Sequence, residues 1–225
     1  MDKTILWLHI VGGALALGAM PLALLSAKGR SLHRAAGKVF VVGMAVVTVS
    51  AIRLGVLLWL SANARSHAFG AFLLLISVFT GNLVSVGIRA IRTRRREGRG
   101  SAWDIGLAAA SVVATAGAFA YGLATHEPIF TGFGAVATPV SAWYLVTWLL
   151  PPRGKVQHLL LHVTAMLGGC IAAVTAFTVV NAPRMGLGLG TPILWTAPAA
   201  VFLPTMIFYL WRTVAGRLPS SRLAG

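Results

Sequence analysis

The sequence predicts an all-α, polytopic membrane protein with seven transmembrane helices, its N-terminus outside and its C-terminus in the cytoplasm. Three observations carry that expectation. The 225-residue chain is 57% apolar and only 10% charged, whereas a soluble domain carries about 25% charged residues. Its apolar residues gather into seven long runs, and about 20 helical residues cross a hydrocarbon layer about 30 Å thick. Fifteen of the nineteen Lys and Arg residues fall on alternate connections between those runs, as expected when positive segments stay on the cytoplasmic side. An open sheet cannot satisfy its backbone in lipid. The runs also lack the alternating period of a barrel strand, so helices are expected.

The elements follow in order. The first span, Thr4 to Leu25, has no basic region ahead of it and no clean small-residue cleavage site behind it, so it reads as a helix and not as a cleaved signal. Lys28, Arg30, Arg34 and Lys38 follow on the cytoplasmic side. The second span, Val39 to Leu60, contains Arg53. The third, Ala68 to Ile91, leads into a basic stretch of Arg89, Arg92, Arg94, Arg95, Arg96 and Arg99, expected to be a solvated hairpin touching lipid phosphates. The fourth, Trp103 to Ala124, returns outward, and the fifth, Ile129 to Leu150, comes back to Arg153 and Lys155. The sixth, Leu159 to Val180, and the seventh, Ile193 to Trp211, end at Arg212, Arg217 and Arg222. The opposite side keeps only Lys3, Arg65 and Arg184.

The connections are short, so residues 1–225 form one transmembrane domain. In a soluble protein a net charge of +15 would point to nucleic acid. Here the bases flank spanning segments and no soluble basic domain exists, so the expected partners are the bilayer and its anionic lipids. A homo-oligomer or a larger membrane complex also fits, and the cytoplasmic (inner) membrane is the expected location. Cys170 is the only cysteine, so no disulfide can form within the chain, and it reads as a small buried hydrophobe.

A parallel duplication is suggested by Gly29-Arg30-Ser31-Leu32-His33 and Gly154-Lys155-Val156-Gln157-His158. Both read Gly, base, two residues, His, and the same offset aligns Gly43 with Gly168 and Ser50 with Thr175. It would divide the chain into half-repeats 1–91 and 129–216 with a linker helix 103–124. That organisation is similar to the SWEET sugar transporters, although their Pro-Gln motif is absent.

Polar residues in lipid are expensive and point to function. Arg53 lies about 22 Å along its span, and His9 sits at a similar depth. With His67, His126 and Glu127 at the outer rim they make one set of ligand-binding or proton-handling candidates, Glu127 being the counter-ion for Arg53. Snorkelling of Arg53 and simple hydration of the rim histidines are the alternatives. Asn82, deep in the third span, reads as an interhelix hydrogen bond or a further ligand contact. On the cytoplasmic side stand His33, His158 and His162. His158 and His162 share one helix face, a spacing that can ligate metal, but Leu159 occupies the place of a protease glutamate. Haem is the other use of such histidines, but the two clearly intramembrane ones, His9 and His162, lie near opposite faces and rim histidines would have to complete each pair, which argues against it. Gly12, Gly13, Gly168 and Gly169 suit close helix packing, and Pro139, Pro198 and Pro204 suit kinks.

The stretch His33-Arg34-Ala35-Ala36-Gly37-Lys38-Val39-Phe40 resembles the His-Arg-x-x-Gly-Arg/Lys-x-Phe/Tyr entry of a family of bacterial multi-pass membrane proteins, known only as domain of unknown function 2306. His158, His162, Met166 and the stretch from Ile171 to Asn181 resemble the same relatives. The resemblance implies a helical inner-membrane protein and carries no reaction, substrate or cofactor. Three functions are left open: small-solute binding or transport with proton coupling, b-type haem electron transfer, and an accessory or assembly subunit. No catalytic signature points to an enzyme.

Overall fold

The computed structural model describes residues 3–61, 63–188 and 192–216. Its described residues form seven helices: α1 (Lys3–Leu25), α2 (Ser31–Trp59), α3 (Ala64–Arg92), α4 (Ala102–Thr125), α5 (Pro128–Leu149), α6 (Gln157–Asn181) and α7 (Pro192–Val214), with a 3-10 turn at Ala182–Met185. No strand occurs among them, and all seven helices are long and apolar enough to cross a membrane. The chain is an integral, multi-pass membrane protein. Arg217 and Arg222 of the basic tail lie outside the described residues.

The helices run past the apolar spans at several ends. α2 begins at Ser31, eight residues before the expected Val39. Hydropathy marks where hydrocarbon begins, whereas backbone hydrogen bonding continues through the polar interface. Arg34 and Lys38 therefore ride on a helix instead of a loop. His33 belongs to the first turn of that helix.

α3 is the hub. It packs along α2, α4 and α6 and touches α5, while α6 also reaches α1 and α7. Within their most apolar stretches, 44% of α3 is buried against 11% of α7, so α7 is peripheral. The hairpins α1–α2 and α4–α5 flank the hub on either side. Neighbouring helices run antiparallel, which brings the ends of α1, α3, α5 and α7 to one basic face. The duplication suggested by the sequence lays α5 on α1, yet α1 packs closely along α2, while α5 packs along α4 and meets α6 through the Tyr144 hydroxyl, which donates to Thr164 Oγ1 at 3.1 Å.

Packing without a hydrophobic drive depends on close backbone approach. A Cβ on Gly43 would lie 2.6 Å from the Gly12 carbonyl oxygen, and one on Gly70 would lie 2.7 Å from that of Gly55. These contacts clamp α1 to α2 and α2 to α3. Gly13, Gly168 and Gly169 have ordinary room. Pro198 lacks the N–H that Leu194 would receive, and Thr178 Oγ1 of α6 donates to that carbonyl at 3.3 Å instead.

Candidate functional site

At the face opposite the basic one, the expected set of five polar residues does not assemble. α2 extends 22 residues from Ser31 to Arg53, about 33 Å along the axis. The added length lies in the polar interface and leaves the depth of Arg53 in the apolar span unchanged, but its side chain is exposed on the outside of the bundle. It pairs with no carboxylate among the described residues, so Glu127 is not its counter-ion. Glu127 is instead the exposed residue that starts α5, and His126 is the left-handed C-cap of α4 with φ 57°. The His67 ring stacks on Trp59 with centroids 6.1 Å apart, and its Nε2 meets the Ser61 carbonyl. His9 faces α2 alone. Ser50 Oγ donates to the Val46 and Val47 carbonyls, so His9 Nδ1 donates to Ser50 Oγ at 3.0 Å. Asn82 is buried, and its amide nitrogen has no partner, so the interhelix hydrogen bond expected of it is not made by that nitrogen.

The basic arc is more structured than a solvated hairpin. Arg89 Nη2 donates to Asp104 Oδ2 at 2.7 Å, and Asp104 also receives the Ser101 N–H and hydroxyl. Arg96 donates to the Thr147 and Leu150 carbonyls at 3.0 and 3.2 Å and lies 4.8 Å over the Trp148 ring. It thereby satisfies the last carbonyls of α5, which have no helical partner. Burial pushes the Arg96 guanidinium below its ordinary value, and the Asp104 charge pulls it back.

Two histidines of this face, His33 and His162, are brought together from distant parts of the chain. His33 at the start of α2 donates from Nδ1 to the Ala23 carbonyl of α1 at 2.9 Å. Lys28 shares that carbonyl at 3.0 Å, and the two close the end of α1. His162 on α6 donates from Nδ1 to the Gly87 carbonyl of α3 at 2.8 Å. The two ring centroids are 6.4 Å apart, with planes at 73°. A carbonyl oxygen only accepts, so in each neutral ring the proton sits on Nδ1 and Nε2 keeps its lone pair. This backbone orientation of Nδ1 is the support that metal-ligating histidines use. Among the described residues neither Nε2 has a hydrogen bond, and both residues are half-buried.

His158 does not join the pair. It lines a cleft of about 20 Å³ with Thr93, Arg94 and Gln157, room for about one water. No group of three His, Cys, Asp or Glu side chains is gathered for a metal ion among the described residues. The one-turn spacing of His158 and His162 suggested that they act together, but the partner of His162 is His33, distant in sequence. The charge asymmetry had placed His33, His158 and His162 on one side, but the shared Gly-base-x-x-His entry into α2 and α6 matches His33 with His158 and not with His162.

No family model, no curated protein and no solved structure matches this chain.

Proposed function

We propose that this membrane protein holds a b-type haem between His33 and His162 near its basic face and serves as a one-electron carrier. The observation that carries the reading is the pair itself: two imidazoles 6.4 Å apart, each fixed through Nδ1 to a different helix. His33 and His162 would each hold the iron through Nε2, the nitrogen left free by the Nδ1 bond to backbone. A bare metal ion would want a third and fourth protein ligand, which the described residues do not gather. A haem iron needs only two, because the porphyrin supplies four nitrogens. Met166 fills the space where a Cβ on Gly87 would stand, and its flexible thioether yields readily to a bound group.

Solute transport loses its main support, because the intramembrane cation on which a binding site would rest faces outward. The test is a spectrum of protein made in haem-supplied cells and purified in mild detergent. Haem binding gives a Soret band and a reducible α-band. His33→Ala and His162→Ala each lose the bound haem, whereas His158→Ala keeps it. Folded, monodisperse protein without colour or iron ends the proposal.

A further inference from the structure

We infer that the groove between α1 and α7 is a binding site for one anionic phospholipid, with an acyl chain in the groove and the phosphate head at Lys28 and Arg212. The site adjoins the histidine pair, because Lys28 shares the Ala23 carbonyl with His33, but it does not depend on haem being bound there. α6 holds α1 and α7 without bringing them into close contact with each other, and a groove of about 450 Å³ is left, lined by Leu24 and Leu25 of α1 and by Phe202, Thr205, Phe208 and Tyr209 of α7. That volume falls in the range of small-molecule sites, about 300–1,000 Å³.

Charge selects the occupant. Lys28 Nζ lies 4.9 Å from the centre of the Tyr209 ring, and the Arg212 guanidinium lies 5.5 Å from that of Phe208. Both rings line the groove, so two cations close its basic end. Neither is in an ion pair among the described residues, where Asp104 is taken by Arg89. Lys28 spends two of its three donors on the Ala23 and Leu24 carbonyls and keeps one. Burial pushes its ammonium below the ordinary lysine value, a cost that a phosphate oxygen would offset. A free phosphate would use the cations and leave the groove empty, and a neutral lipid would do the reverse. Only an anionic amphiphile uses both.

The full-length protein is stripped of lipid in detergent, then offered phosphatidylglycerol, phosphatidylcholine or inorganic phosphate, and read by native mass spectrometry and thermal unfolding. Wild-type protein is expected to retain one phosphatidylglycerol in preference to phosphatidylcholine and to unfold at a higher temperature with it, while inorganic phosphate does nothing. Retention falls about five-fold for each cation removed in Lys28→Gln and Arg212→Gln. Thr205→Trp, which fills the groove and leaves both cations in place, abolishes it. Because Lys28 also closes α1, Arg212→Gln alone decides the charge arm if the other variants do not fold. Equal retention of phosphatidylcholine, wild-type retention by Arg212→Gln, or equal protection by inorganic phosphate overturns the site.

Discussion

Asn82 shows how a polar residue in lipid is read too simply from sequence. It is 1% exposed, yet among the described residues its amide nitrogen has no acceptor. An unsatisfied buried donor costs about 1–3 kcal/mol, so Asn82→Leu is expected to stabilise the protein by about 1 kcal/mol, measured as the temperature at which it loses monodispersity in detergent. A loss of stability would reveal an internal water that the amide holds. Asp104 makes the opposite case, since its carboxylate is fully enclosed and satisfied by Arg89 and Ser101. Arg89→Leu leaves that buried charge without its counter-ion, held only by Ser101, and should cost about 3 kcal/mol. Adding Asp104→Leu should recover most of the loss, a double-mutant cycle in which additivity would deny the pair its coupling. The residue types at the basic face were legible in the sequence, but their partners were not. Arg96 looked like one more solvated base of a run, and only the approach of α5 makes it a cap.

At the scale of the helix, the chemistry that holds neighbours together is written in residues that look unremarkable. Gly43 and Gly70 sit in ordinary apolar stretches, and nothing in their spacing marks them above Gly168 or Gly169. Their place in the fold does, because each faces a backbone carbonyl of the adjacent helix closer than 3 Å from where a Cβ would stand. Gly43→Ala is expected to cost about 1–3 kcal/mol through forced separation of α1 and α2, whereas Gly168→Ala, with its nearest neighbour at 3.4 Å, should be close to neutral. Equal effects in the same unfolding assay would mean that the close approach is not what clamps the helices. Helix number and type were fully legible, since length and hydropathy fix them. The start of α2 was not, because eight helical residues lie at the interface, where hydropathy is silent. That shift carried His33 onto the helix that faces His162, while Arg53 is exposed because it lies on the face of α2 away from buried Ala51, Leu54 and Gly55.

The whole molecule is ordered by charge along one axis and by burial around another. α3 and α6 supply the centre, and the basic ends of α1, α3, α5 and α7 supply one face, where the ion pair, the α5 cap, the histidine pair and the α1–α7 groove all gather. The opposite face holds isolated polar residues: Ser50-bound His9, capping His126, stacked His67 and outward Arg53. Work done by this protein is therefore expected at the basic face, and that places a demand on its orientation. Positive segments are retained in the cytoplasm, which puts Arg95 inside the cell and Leu60 outside. Both positions are exposed, and Cys170, the native thiol, is 4% exposed, so it gives little background to a membrane-impermeant maleimide. Leu60→Cys should label in intact cells and Arg95→Cys only after the membrane is opened. The reverse pattern would turn the protein over in the bilayer, move the histidine pair to the far side, and require any electron partner to approach from there.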